Sequence, residues 1–368
     1  MEYKKFKDIE LSRLGMGNMR LPVMDDKEGA PIDYERAQQI IDYAMEHGVN
    51  YYDTAYVYHN KESETFLGEA MKKYDRKSFY LATKYAVMAN PDYKACFEEQ
   101  LTKLQTDYID FYLIHNVNEK NIDQYIDCGC IAYFEQMKRE GKIRYLGFSC
   151  HGKPETLERF VNLREWDFAQ IQLNYYDWVF SSTAKEYEVL EKHNIPIMVM
   201  EPVRGGKLAN LPESVSGLLK GHETWSDAAW GFHFVKALPQ VQVILSGMSN
   251  LEQIEDNINT FSDGYALDKK EQELMFEVAK AFHKNLTVPC TACRYCCDGC
   301  PSKIEIPSYL ELYNQYKIDG SWGMKEKLEK VESKGKPSDC ISCGSCVSHC
   351  PQNIEVPKIM RELSTLMQ

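Results

Sequence analysis

Over its first 285 residues the chain alternates short, almost wholly apolar runs with longer stretches whose apolar residues recur at helical spacing. The short runs are Leu11–Gly17, Val49–Asp53, Phe79–Lys84, Ile109–His115, Arg144–Ser149, Ala169–Leu173, Ile197–Glu201 and Gln242–Ser246, and each predicts a strand. The longer stretches predict helices at Tyr34–His47, Glu62–Tyr74, Tyr93–Leu104, Ile131–Glu140, Thr156–Asn162, Ala184–His193 and Ser226–Leu238. Helix stops recur just ahead of strands, at His47-Gly48, at Glu140-Gly141 and at Asn194 before Pro196. Strands that are apolar on both faces and separated by helices belong to a parallel sheet covered on both sides. Eight such units in about 280 residues predict an (α/β)8 TIM barrel. A doubly wound sheet would carry G-x-G-x-x-G after its first strand. The run Gly15-Met-Gly17-Asn-Met-Arg20 lacks the third glycine and leads into Pro22, not a helix.

The pattern changes near residue 286. Nine of the 13 cysteines lie between Cys290 and Cys350, and helical spacing appears at Ile306–Tyr316 and Trp322–Val331. The expected organisation is therefore a barrel over residues 1–285 and a small, mainly helical domain over residues 286–368. The net charge of −12 falls on the first part, because residues 286–368 hold ten basic and ten acidic side chains. An acidic chain argues against a nucleic-acid partner, which needs a basic face. No apolar run approaches the ~20 residues of a membrane span, and the start Met1-Glu-Tyr-Lys-Lys-Phe6 has no apolar core of a secretory signal. Clustered cysteines without an export signal point to metal in a reducing, low-oxygen cytoplasm rather than to disulfides.

The two clusters read Cys290-x2-Cys293-x2-Cys296-x3-Cys300-Pro and Cys340-x2-Cys343-x2-Cys346-x3-Cys350-Pro. Three thiolates at this spacing wrap one cubane and the fourth reaches across to the other. The expectation is one [4Fe–4S] cluster on Cys290, Cys293, Cys296 and Cys350, and a second on Cys340, Cys343, Cys346 and Cys300. Cys297 is surplus, and Cys128-Gly-Cys130 reads as a non-ligating pair in a loop. Zinc knuckles supply two cysteines per turn, not four followed by proline. The tail resembles a bacterial two-cluster ferredoxin, and its long spacer brings it closer to the helical ferredoxin modules of respiratory and reductase subunits.

In a TIM barrel the chemistry lies at the C-terminal ends of the strands. Asp53, Lys84 and His115 end three consecutive strands, and Tyr58 follows Asp53 by five residues. An unpaired buried charge is expensive, so Asp53 and Lys84 are expected to pair. A lysine beside Tyr58 should favour the phenolate, lower the phenol's pKa towards neutrality and make it a general acid. His115 would orient a carbonyl.

The segments carrying these residues are Gly48-Val-Asn-Tyr-Tyr-Asp53-Thr-Ala-Tyr-Val-Tyr58, Ser63-Glu64 with Leu67-Gly68, Ala82-Thr-Lys84, Asp107 to His115 and Gly141 to Ser149. Together they resemble the signature of the aldo-keto reductases, in order, over residues 1–285. The resemblance implies a nicotinamide-binding barrel with a tetrad of Asp53, Tyr58, Lys84 and His115. Hydride would pass to a carbonyl carbon while Tyr58 protonates the oxygen. It also implies that Ser149 and Gln170 hold the carboxamide and that Met200 stands where many members stack an aromatic ring. Gly247, Ser249, Gln253 and Asn257 would meet the pyrophosphate and adenosine. Cys150-His151 replaces the family's asparagine. Gln253 offers no charge to a 2′-phosphate, although Arg204 or Lys207 could, so NAD and NADP both stay open.

Nicotinamide delivers two electrons and a cubane moves one, a mismatch that a flavin normally bridges. Three readings follow. The chain is an NAD(P)H-dependent reductase of a small carbonyl compound whose clusters are structural or face a redox partner protein. Or it is an electron-transfer subunit that binds a flavin or docks a flavoprotein. Or it is a nicotinamide-sensing module.

Overall fold

The computed structural model describes residues 1–25, 30–290, 292, 294–350, 352 and 354–367, with Tyr295 described by its backbone alone. It divides into two compact units, Met1–Glu277 and Val278–Gln368, and the division falls within a helix that spans Lys269–Leu286.

Eight parallel strands close the first unit into a barrel. They are β3 (Leu14–Gly17), β4 (Tyr51–Asp53), β5 (Tyr80–Tyr85), β6 (Ile109–Val117), β7 (Ile143–Cys150), β8 (Ala169–Gln172), β9 (Ile197–Met200) and β10 (Val241–Ser246), with β10 pairing back onto β3. Each of the eight expected strands is present, because a strand buried on both faces is apolar at nearly every position and stands out in sequence. The expected helices also form, with ends shifted by a few residues, as in Tyr34–Glu46, Tyr93–Leu104 and Asp227–Lys236.

One difference lies at the start. The run expected as a single strand from Leu11 splits, because β1 (Tyr3–Phe6) and β2 (Ile9–Ser12) form an antiparallel hairpin outside the barrel. Arg13 is the pivot. Its guanidinium is buried and donates to Val241 O and Lys236 O, both at 2.8 Å, so the chain turns there before entering β3. Phe6, Ile9 and Leu11 of the hairpin pack with Tyr51, Phe111, Tyr145 and Val243 from the barrel strands and with Phe168 just before β8. Phe111 sits at the centre, its ring 5.5 Å from Phe6, 4.9 Å from Tyr51 and 5.2 Å from Phe168. The hairpin thus plugs the N-terminal end of the barrel. Access to the interior is left at the C-terminal ends of the strands, where βα loops carry the chemistry of this fold.

Two of the connections that follow barrel strands carry short helices, Ile122–Asp127 after β6 and Glu213–Ser216 after β9. Cys128 and Cys130 lie at the junction of Ile122–Asp127 with Cys130–Arg139, and both thiols donate to Tyr125 O, at 3.8 and 3.6 Å.

The second unit is an internal repeat. Each half has a left-handed residue two positions after the first cysteine (Ala292 φ 54°, Ser342 φ 56°) and another two positions later (Arg294 φ 67°, Gly344 φ 76°). A one-turn helix follows, Tyr295–Asp298 or Ser345–Ser348, and then a longer helix, Ile306–Asp319 or Val356–Leu366. The repeat extends beyond the cysteines: Ile304-Glu-Ile-Pro307 matches Ile354-Glu-Val-Pro357. In both halves the proline occupies the first turn of the longer helix, where its missing N–H leaves no bond unmade. Ile306, Tyr309, Leu310 and Tyr313 present one stripe, and Val356, Ile359, Met360 and Leu363 another. The stripes merge into one core with Met324 and Leu328. Helical spacing expected across Trp322–Val331 is realised as Met324–Glu329.

Candidate functional site

Adjacent parallel strands bring the four expected barrel residues together at the open end. Lys84 on β5 is buried and its ammonium donates three hydrogen bonds: to Asp53 Oδ1 at 2.5 Å, to Thr54 O at 2.7 Å and to Tyr58 Oη at 3.4 Å. An ammonium has three donors, so all are in use and the nitrogen is fixed in place. Because the Tyr58 oxygen accepts from Lys84, its own proton is left to point elsewhere. The His115 ring stands edge-on to Tyr58, with centroids 5.9 Å apart at 81°.

Electrostatics follow from burial. For Lys84, burial alone lowers the pKa, but attraction to Asp53 and Tyr58 more than reverses this and holds the amine above its ordinary value. Burial pushes the Asp53 carboxyl up, opposed by Lys84. It pushes His115 well below the usual imidazole range, helped by Lys84, so the ring is neutral at physiological pH. Tyr58 corrects an expectation. Lys84 pulls its pKa down as the sequence implies, but burial outweighs the pull and the net direction is upward. At neutral pH the group is a phenol with a proton to give, not a phenolate.

Neighbouring motif residues brace this geometry. Asn18 Nδ2 donates to Asp53 O at 2.9 Å, and Ser63 Oγ joins Thr54 Oγ1 at 2.8 Å and Asn18 O at 3.0 Å. Glu64, fully buried, accepts from Thr83 Oγ1 and Gln100 Nε2, both at 2.6 Å, and Gln100 Nε2 also donates to Lys84 O at 3.1 Å. Directly after Tyr58 the backbone runs through three left-handed residues, His59, Asn60 and Lys61 (φ 47°, 53° and 74°). Such non-glycine conformations cost of order 1–3 kcal/mol each and concentrate at functional sites.

The expected cofactor contacts fall into two groups. Ser149 and Gln170 face each other in register on β7 and β8, both buried. Ser149 Oγ accepts from the Asn116 N–H at 2.8 Å, whereas Gln170 Oε1 is a buried acceptor without a partner among the described residues. A buried acceptor left unmet is costly, and a carboxamide N–H₂ is a donor of the right kind for it. Met200 is half-buried at the end of β9, in register with Gln172. Cys150 is a packed thiol whose pKa burial pushes up to about 12.

Gly247, Ser249, Gln253 and Asn257 line one wall of a cleft of about 510 Å³. The Ser249 N–H donates to Gln253 Oε1 at 2.8 Å, and Asn257 Nδ2 to Ser246 Oγ at 3.0 Å beneath the loop. Glu201, Gly205 and Gly206 form the other wall. Arg20, which the sequence reading passed over, spans the two. Its side chain packs against Gly247, where an added Cβ would lie 3.0 Å from Arg20 Cβ, and its Nη2 is 3.4 Å from Glu201 Oε1. Arg204 is committed elsewhere, since its Nε pairs with the buried Asp177 Oδ1 at 3.0 Å. Asp177 also accepts from Gln172 and Asn174, so this network ties the Glu201–Leu208 loop to the end of β8. A cleft of this volume with glycines at its wall, and an unmet acceptor at the barrel mouth, fit a nicotinamide dinucleotide.

In the second unit the thiols line two separate cavities. Cys300, Cys340, Cys343 and Cys346 wall one, with Ile304, Ile306 and Met360. Cys290, Cys296 and Cys350 wall the other, with Leu310 and Ile354. Both groupings cross between the two motifs, as the sequence spacing requires. Cys293 lies outside the described residues, and Cys297 lines neither cavity. Among the described residues no three His, Cys, Asp or Glu side chains converge on a single-ion site, so the thiols are grouped as walls of a space, not around a point.

A family model, the aldo/keto reductase family, matches residues 13–279. The chain belongs to that family. A second, the 4Fe-4S dicluster domain, matches residues 289–355, so the reductase barrel is joined to an iron–sulfur domain. The chain is similar to an uncharacterized oxidoreductase of Bacillus subtilis, 28% identical over 287 residues, or 68% of this chain and 87% of that one. It is 25% identical over 333 residues, 75% of this chain and 97% of the relative, to an NADH-specific methylglyoxal reductase of Escherichia coli. Among solved structures, the holo form of an aldo-keto reductase from Bacillus halodurans superposes with a TM-score of 0.64 at 26% identity, covering 76% of this chain and 97% of that one. The reductase barrel makes this protein an oxidoreductase acting on carbonyl or alcohol groups. Among the described residues no helix is long and apolar enough to cross a membrane.

Proposed function

We propose that the barrel reduces an aldehyde or ketone with NAD(P)H, or oxidises the corresponding alcohol, using Asp53, Tyr58, Lys84 and His115. We propose further that the tail holds two [4Fe–4S] clusters, one on Cys290, Cys293, Cys296 and Cys350 and the other on Cys300, Cys340, Cys343 and Cys346. The observation that carries the barrel reading is the fully used Lys84 ammonium, which meets Asp53, Thr54 and Tyr58 at once. The crossed grouping of thiols in two cavities supports the second.

When bound, a nicotinamide supplies the hydride. Ser149 and Gln170 orient its carboxamide, and the cleft walled by Gly247, Ser249, Gln253 and Asn257 takes the rest of the dinucleotide. The substrate carbonyl lies against Tyr58 and His115. Tyr58 gives its proton to the carbonyl oxygen, and Lys84 stabilises the phenolate left behind. Asp53 keeps Lys84 charged and in place. His115, neutral, fixes the carbonyl by a hydrogen bond and does not itself titrate in the working range. The nicotinamide chemistry closes within the barrel, and the clusters serve a separate one-electron exchange.

The pH profile tests this assignment. Reduction needs Tyr58 protonated, and its pKa is raised above the ordinary tyrosine value. Reductive kcat/KM should therefore stay level through neutral pH and fall only as pH climbs into the tyrosine range. Alcohol oxidation needs the phenolate and should rise over the same range. Methylglyoxal is a suitable test aldehyde, because a relative is named for its reduction. A reductive profile that falls between pH 6 and 8, the range of an ordinary histidine, would assign the acid to another group.

A further inference from the structure

Of the two cysteine-lined cavities, the one walled by Cys300, Cys340, Cys343 and Cys346 reaches the surface in a distinctive setting. Cys343 is exposed, whereas Cys290, Cys296, Cys300, Cys340 and Cys350 are half-buried and Cys346 is buried. Beside Cys343 in the cavity wall is Ile341, 68% exposed, an apolar side chain that the core of the unit does not use. Three exposed lysines flank it. Lys334 and Lys336 bracket Gly335, whose N–H donates to Lys303 O and which bridges to Ile304, another residue of the cavity wall. The Ser302 hydroxyl ties the same segment to Asp339 O at 2.6 Å, so Lys303, Lys334, Lys336 and Ile341 share one edge of the unit. The carboxylates in this group are Asp339, whose Oδ2 accepts from the Lys336 backbone N–H, and the exposed Glu332, two residues before Lys334. The other cavity differs: its cation, Arg294, is paired through both guanidinium nitrogens with Glu305, each at 2.6 Å.

We propose that this edge is the docking face for a small one-electron carrier protein with an acidic surface. The inference rests on the reading of Cys300, Cys340, Cys343 and Cys346 as cluster ligands. The choice of partner follows from charge. The net charge of −12 falls on the first 285 residues, which would repel an acidic carrier, whereas the tail is balanced and this edge gathers three lysines against two carboxylates. A locally basic rim around an exposed apolar side chain gives steering and a small desolvated centre, which suits a short-lived encounter. The exposed thiolate of Cys343 shortens the path between the cluster and the carrier. One electron crosses per encounter, the cluster being oxidised as the carrier is reduced, or the reverse.

The test uses the full-length protein purified without oxygen. Its affinity for an acidic flavodoxin and for an acidic two-cluster ferredoxin is measured by titration calorimetry at several salt concentrations. Iron is counted in the same samples. Binding should weaken steadily with salt. The triple variant Lys303→Glu, Lys334→Glu, Lys336→Glu should bind about tenfold or more weakly with its iron content unchanged. Ile341→Ala should lose several-fold with the same salt dependence. Full iron with no salt-dependent binding to either carrier, or with equal binding by the triple variant, overturns the docking face and leaves the cluster reading intact. Protein without iron overturns the cluster reading, and the docking face falls with it. A concentration-dependent dimer in sedimentation that the triple variant abolishes assigns the face to a second copy of the chain and contradicts the proposal.

Discussion

Tyr58→Phe is expected to lower kcat for carbonyl reduction by about 10²–10⁴-fold, the usual contribution of a positioned general acid, while nucleotide affinity changes little. The substitution removes one oxygen. That oxygen accepts the third hydrogen bond of Lys84 and carries the proton bound for the substrate. The Lys84 ammonium keeps its bonds to Asp53 and Thr54, so the buried ion pair stays in place and the fold should hold. The cleft proposed for the nucleotide is walled by Arg20, by residues that follow β9 and β10 and by the helix Asp227–Lys236, and Tyr58 is not among them. Loss should therefore appear in kcat and not in the dissociation constant of the dinucleotide. Stopped-flow kinetics together with fluorescence titration of NADH and NADPH would check both halves. A variant that keeps its rate would remove Tyr58 from the proton-donor role.

The second large effect concerns the tail. Cys346→Ser should reduce the iron of anaerobically purified protein from about eight atoms per chain to about four or fewer. Cys346 is a buried thiol in the tail core, touching the residues that both long helices contribute. Metal binding and folding are coupled where ligands double as core, so the tail should also become more open to proteolysis. Cys297→Ser is the matched control, since Cys297 lines neither cavity, and it should keep the full iron content. Carbonyl reduction by the barrel should survive in both variants. Iron and sulfide assays with limited proteolysis give the answer, and equal iron in the two variants would contradict the ligand assignment.

Much of this was readable in the amino-acid sequence for identifiable reasons. The barrel strands are buried on both faces, so the solvent pattern that obscures other strands is absent. The four residues proposed as the tetrad stood out because chemistry in this fold sits at strand ends, and a strand that closes on Lys84 or Asp53 is conspicuous. The crossed cysteine sets follow from spacing alone, and the two cavities group the described thiols in the same way. Other features depend on contacts distant in sequence. Arg13 breaks the strand expected over Leu11–Gly17 because its partners are the carbonyls of Lys236 and Val241. Arg20 lies in the segment that failed the dinucleotide fingerprint, and only the closure of the barrel places it opposite Glu201. Arg204 seemed available to a phosphate until Asp177 was found beside it. The direction of the Tyr58 shift was misjudged for a related reason. A sequence shows the neighbouring charge but not the depth of burial, and here burial is the larger effect.

Ser63 and Glu64 teach a similar lesson. Both belong to the family-like motif and neither touches the Tyr58 hydroxyl. They hold Asn18, Thr54 and Thr83 in place behind the tetrad. A motif of this kind records the support of a site as well as its chemistry.

Hydride is expected to pass directly to the carbonyl within the barrel, without the clusters as intermediates. The most direct measurement is the fate of deuterium from nicotinamide labelled at its transferable position, followed by mass spectrometry of the alcohol product. The label should arrive on the carbinol carbon, in one-to-one ratio with product, in the intact protein and equally in Cys346→Ser. Product that forms without the label, or a label that disappears when the clusters are lost, would show that the electrons travel by way of the iron–sulfur tail.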